Sequence, residues 1–230
     1  MQNWKYIFNM DDGRRHEFDV TLDDKTMQVI PLLKGTPPDW TLLEFHKCDN
    51  CPLPYHKKSW CPIAVNVALM VNGFDGVINS SNAHVVVVNK ERTVSRHVPI
   101  ASGLYSLLGI YMAASGCPVM SKLRPMAYYH LPFSTVEETI YRVLTMYVTG
   151  QYFRDRKGLA PDWKMEELRA MYGEIRTVNQ CFAERIRAAA EKDVVINSLV
   201  SLDVFAMAMT DITDHLGDMR KLFGSYLDNK

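Results

Sequence analysis

Aromatic residues fall at every second position in Trp4, Tyr6 and Phe8, and apolar ones at Phe18, Val20 and Leu22. This period of two predicts a β-hairpin over residues 4–22, turned by Asp11-Asp12-Gly13. Asp23-Asp24-Lys25 breaks the second strand, and Thr26 to Leu33 is too short to assign. Trp40 to His46 predicts a further strand that delivers the chain to its first cysteines. Pro62 suits the first turn of a helix over Ile63 to Phe74. The four valines of Val85 to Val88, and then Thr93 to Val98, read as two strands around Asn89-Lys90-Glu91-Arg92.

Beyond residue 99 the pattern becomes helical. Ile100 to Ala114 predicts a first long helix, buried because no residue from Val98 to Ser121 is charged. Its glycines, serines and flanking prolines argue against a membrane span. Ser134-Thr135-Val136-Glu137 reads as a capping box that opens a helix with an apolar stripe at Val136, Ile140, Val143, Leu144, Tyr147, Val148 and Tyr152. Asp162 is expected to cap the next helix, where Leu168, Ile175, Phe182 and Ala189 recur every seven residues. A last helical region begins near Val194. The expected fold class is therefore α+β, in one domain over 1–230. An N-terminal antiparallel β-sheet with a cysteine-rich loop (about 1–98) packs on a C-terminal helical bundle of about four helices (about 99–227).

Composition narrows the function classes. The 230 residues carry 26 Lys and Arg against 26 Asp and Glu, which supplies no bulk attraction to phosphate and argues against a nucleic-acid partner. The opening Met1-Gln2-Asn3-Trp4-Lys5-Tyr6 is not a basic region followed by an apolar run. A cytoplasmic protein is expected, with no membrane partner and with cysteines that are thiols or metal ligands. The aromatic and Met content is compatible with a homodimer.

The densest chemistry lies in Cys48-Asp49-Asn50-Cys51-Pro52-Leu53, followed by Cys61-Pro62. Two thiolates two residues apart can grip one metal, with Cys61 as third ligand and Cys117 as fourth, or His56 or His46 in its place. Zinc in a structural role is the expected cofactor, in a module that acts by binding or assembly. Proline after Cys51, Cys61 and Cys117 also suits an iron–sulfur cluster. The remaining alternatives at these cysteines are a thiol–disulfide switch and a partly exposed cysteine pair with no metal. Thioredoxin-type catalysis is not expected, because Pro52-Leu53-Pro54 does not continue helically from Cys51.

Elsewhere each polar cluster has a plainer explanation beside the functional one. His130 with Glu137 and Glu138 could do acid–base work, but acidic residues in a first helical turn also complement the dipole. Asp211, Asp214, His215 and Asp218 share a helix face that could chelate a cation or simply be solvated. Arg124 and Arg142 are candidate anion contacts, and a small-ligand pocket between helices near His130, Arg124 and Glu138 is a further alternative. Asn179, Asn197 and Asp203 sit near apolar stripes and each needs a hydrogen-bond partner. No nucleophile elbow and no nucleotide-binding loop is present.

Several segments taken together resemble a family of uncharacterised bacterial proteins. They are Cys48-Asp49-Asn50-Cys51-Pro52-Leu53, Cys61-Pro62-Ile63-Ala64, Ser115-Gly116-Cys117-Pro118, Leu123-Arg124-Pro125-Met126-Ala127, His130-Leu131-Pro132-Phe133 and Glu137-Glu138-Thr139-Ile140-Tyr141-Arg142. The likeness covers roughly residues 40–205. It implies a soluble bacterial protein and transfers no catalytic residue.

Overall fold

A computed structural model describes residues 1–54, 59–74, 77, 81–189, 193–209, 216–217 and 219–227. Strands β1 (Gln2–Met10) and β2 (Arg15–Leu22) form the expected hairpin, with Tyr6 opposite Phe18. Helix α1 (Pro62–Gly73) follows, then β3 (Asn82–Val88) and β4 (Thr93–Pro99). The sheet is antiparallel throughout, in the order β2-β1-β3-β4. Alternation sends Trp4, Tyr6, Phe8, Val20, Val85 and Val87 to one face, where each is buried.

Helix α2 (Ile100–Ala113) lies on that face and is buried along most of its length, which explains its lack of charge. Its approach depends on Gly103, where an added Cβ would stand 2.6 Å from Phe8 Cε1 and 3.0 Å from Val85 Cγ2. The other side of α2 meets α6 (Asp193–Ala208), which packs in turn on α5 (Glu166–Ala189). Ser198 of α6 ties the layers by donating its hydroxyl to the Ala101 carbonyl at 3.0 Å. Helix α3 (Arg124–Tyr128) is short, α4 (Val136–Arg156) long, and α7 (Gly224–Leu227) a final turn. The fold is α+β, with seven helices among the described residues, six of them after residue 99. None of them is long and apolar enough to cross a membrane.

Three local expectations are corrected. Trp40 to His46 is not a strand: Asp39–Thr41 forms a 3₁₀ turn and the chain continues through further turns. The capping box is shifted by one residue, with Thr135 Oγ1 accepting from the Glu138 N–H and Glu138 accepting from the Thr135 N–H. Ser134 instead bonds Thr139 Oγ1 at 2.9 Å. On α4, Val136, Val148 and Tyr152 are exposed, so only Ile140, Val143, Leu144 and Tyr147 of the expected stripe are buried.

Candidate functional site

Two cavities carry the chemistry. The first lies between α2, α3, α5 and α6, and measures about 110 Å³. Its walls are apolar on the whole, with Gly109, Met112 and Ile175 among them, and a few polar groups join them. His130 and Ser106 stand at one side. Tyr6 O contacts Ser106 Oγ at 2.8 Å and His130 Nε2 at 2.5 Å. All three groups are satisfied when the Ser106 hydroxyl donates to Tyr6 and the Tyr6 phenol donates to Nε2. His130 is half-buried, with Nε2 turned inward onto this network. Burial, and secondarily the Arg142 charge, lower its pKa to about 3, so the ring is neutral at pH 7.

Arg142 also lines the cavity, but its Nη2 donates to the carbonyls of Met126 (3.0 Å) and Tyr129 (2.8 Å) and closes the end of α3. Two wall residues on α5 are different. The Tyr172 hydroxyl and the Asn179 carboxamide oxygen, in residues 1% and 2% exposed, find no hydrogen-bond partner among the described residues. Burial raises the Tyr172 pKa, so its hydroxyl is a protonated donor. A wider cleft of about 450 Å³ shares Tyr105, Phe133, Ser134, Thr139 and Phe205 with this chamber, and Arg96 stands on its rim.

The second cavity is small, about 20 Å³, and Cys48, Cys51, Cys61 and Cys117 all line it. Cys48 and Cys51 flank a turn closed by the Cys51 N–H on the Cys48 carbonyl. Cys61 is the N-cap residue of α1. Cys117 follows a turn at Gly116, whose φ of +93° a side chain would strain. The main-chain N–H groups of Ile63 and Ala64 favour the charged form of Cys61, and those of Val119 and Met120 that of Cys117. Burial pushes the Cys48, Cys61 and Cys117 thiols up, while the Arg185 cation opposes this at Cys48 and Cys61. All five cysteines are free, and among the described residues no group of three or more His, Cys, Asp or Glu side chains could hold a metal ion.

Beneath these cysteines lies Arg185 of α5, which is 1% exposed. Its guanidinium donates to the carbonyls of Trp40 (2.8 Å), Leu42 (2.7 Å), Leu43 (3.2 Å) and His46 (3.2 Å). These four carbonyls converge on one cation, while the segment's only strand-like pairing among the described residues is the isolated antiparallel bridge from Leu42 to Trp60. Arg185 and Cys181, the fifth cysteine, sit one turn apart on α5, and Cys181 acts electrostatically on Cys48. The sequence reading passed over both. Their spacing of four on α5 was the available signal.

The other candidates are dispersed. The His46 ring packs on Phe45 at 5.0 Å and is not on the cysteine cavity wall. Glu138 is held in the capping box and Glu137 is exposed in the first turn, so neither joins His130. Arg124 is off the helical cavity wall, its Nε buried without a partner among the described residues. Asp203 accepts from Arg176 and Gln180. His56, Asp211, Asp214, His215 and Asp218 lie outside the described residues.

The architecture is thus an α+β unit in which helices cover one face of a four-stranded antiparallel sheet and enclose two separate cavities. The chain belongs to the family described as domain of unknown function DUF6901, whose model matches residues 4–224. No curated protein and no solved structure matches it.

Proposed function

We propose that the chain binds a small organic molecule whose apolar end carries a hydroxyl or primary amide and fills the helical cavity. The supporting observation is the pair of unpartnered polar atoms, Tyr172 hydroxyl and Asn179 carboxamide oxygen, in an otherwise apolar wall. Each buried group left unmatched costs about 1–3 kcal/mol, and a ligand that both accepts and donates recovers that cost at both atoms. A cavity of roughly 150 Å³ holds benzene. At about 110 Å³ this chamber suits a smaller end, with the rest of a larger ligand in the adjoining cleft.

The test is an amide-resolved NMR titration with n-butanol and with methyl propyl ether, which match in size but differ in the donor. Butanol should shift the amides of α2 and α5 around the cavity saturably, and the ether should bind about tenfold more weakly or worse. Gly109 lines the cavity and has open space at its Cβ position, so Gly109→Leu should abolish the butanol shifts while the spectrum stays folded. Equal binding of the two probes, or no saturable shift, would refute the reading.

A further inference from the structure

We infer that the ligand of the helical cavity is an amphiphilic monocarboxylate, with its carboxylate on Arg96 in the adjoining cleft and its hydroxyl- or amide-bearing end inside the cavity. The inference rests on the reading of the cavity given above. It adds an anionic group to the ligand and names the residue that selects it.

The first support is the position of Arg96. It lies on β4, an edge strand of the sheet, directly opposite Val85. Paired residues share a face, and Val85 is fully buried on the face that α2 covers. Arg96 therefore brings a cation to the apolar side of the sheet, between Val94 and Val98 on the same side of the strand. Among the described residues it forms no ion pair. None of the described residues that line the cleft is acidic. The acidic residues next to the wall in sequence, Glu137 and Glu138, complement the first turn of α4 instead. A charge on an edge strand also discourages strand pairing, but that role does not call for a cleft beside it.

The second support is volume and continuity. The cleft measures about 450 Å³, within the range of roughly 300–1,000 Å³ usual for small-molecule sites. The aromatic rings of Tyr105, Phe133 and Phe205 line both the cleft and the cavity. One molecule can therefore run from Arg96, past these rings, to Tyr172 and Asn179, with an apolar middle section against the aromatic wall.

The third support is the sign and number of the charges. Helix α2 begins with no acidic residue in its first turn and no side-chain cap, and its Ser102 lines the cleft. The positive end of this helix and the Arg96 fork favour an anion on the same side. Arg96 is the one cation among the described residues of the lining, and one guanidinium matches one carboxylate in bidentate fashion. A phosphate monoester, with nearly two charges, would be left partly unmatched.

The experiment is an amide-resolved NMR titration of the full chain with the ω-hydroxy carboxylates from hexanoate to decanoate, each beside its neutral methyl ester. At one chain length or more, the acid should bind about fivefold more tightly than its ester. It should shift the amides of Arg96, Val98 and Ser102 together with those around the cavity. Arg96 is exposed, so Arg96→Gln keeps the fold. In that variant acid and ester should bind within about twofold of each other, and butanol should shift the cavity amides as in the wild type. Saturable butanol binding with no preference for the acid at any length would overturn the carboxylate assignment and leave the cavity reading in place. A preference for the acid that persists in Arg96→Gln would overturn the role of Arg96. Absence of butanol binding would overturn the cavity reading and this inference with it.

Discussion

Two glycines on α2, six positions apart, are expected to respond to the same substitution with opposite sign. Gly103 faces the sheet and Gly109 faces the helical cavity. Replacing either by Ala gains about 1 kcal/mol of helix propensity. At Gly109 nothing stands within 4 Å of the new Cβ, so the gain is kept. At Gly103 the Cβ meets Phe8 Cε1 at 2.6 Å. The Phe8 ring has nowhere to turn: it is fully buried, with Phe74 edge-on at 5.2 Å and Phe18 at 6.0 Å. Overpacking of this kind costs about 1–3 kcal/mol, and a contact this short between rigid neighbours belongs at the upper end. The net effect is a loss of about 2 kcal/mol at Gly103 against a gain of about 1 at Gly109. With roughly 2–4 °C per kcal/mol for a domain of this size, Gly103→Ala should lower Tm by about 4–8 °C and Gly109→Ala raise it by about 2–4 °C. Differential scanning calorimetry on the two variants reads both shifts. A Gly103→Ala protein that melts at or above the wild type would refute the close packing of α2 on the sheet.

Three further outcomes are expected. His130 has a folded pKa of about 3 against an unfolded value near 6.5, so between those values the unfolded chain binds more protons. Its contribution to stability is therefore complete above about pH 6.5 and falls by up to about 1.4 kcal/mol per unit as the pH drops toward 3. Denaturant midpoints across that window should fall less steeply in His130→Gln, and parallel slopes would contradict the buried neutral ring. Tyr172→Phe removes a buried hydroxyl that has no partner among the described residues, so it should leave stability unchanged or raise it by about 1 kcal/mol while erasing the preference for butanol over the ether. Thr135→Ala should cost about 1 kcal/mol in chemical denaturation through loss of the cap, and a larger loss in Ser134→Ala would show that the cap lies one residue earlier.

Where local pattern and tertiary packing agree, the fold could be read from the chain. The hairpin obeys a period of two on a sheet buried on one face, the β-branched valines mark β3, and α5 keeps Leu168, Ile175 and Phe182 inward at a spacing of seven. The segment Trp40 to His46 misled because its apolar residues suit a strand, whereas its carbonyls are claimed by an arginine some 140 positions later. The capping register was undecidable locally, since Ser134 and Thr135 each precede a glutamate by three residues. At the candidate sites, cysteine spacing pointed to Cys48, Cys51, Cys61 and Cys117, which line one cavity. Arg185, Tyr172 and Asn179 could not be found this way. Their significance is which polar partners they lack, and that is defined only once the helices are packed.

The bonds from Arg185 to the 40–46 turns carry a consequence for synthesis of the chain. Those partners are separated by 139 to 145 residues, and the Tyr6–His130 bond by 124. A ribosome therefore extrudes the hairpin and the cysteine-bearing turns long before the groups that fasten them exist. Until α5 emerges, the four main-chain carbonyls of that stretch lack the guanidinium that gathers them. Closure of such distant loops is entropically slow, so the nascent cysteine segment stays open to solvent for most of translation and is locked in place only near its end.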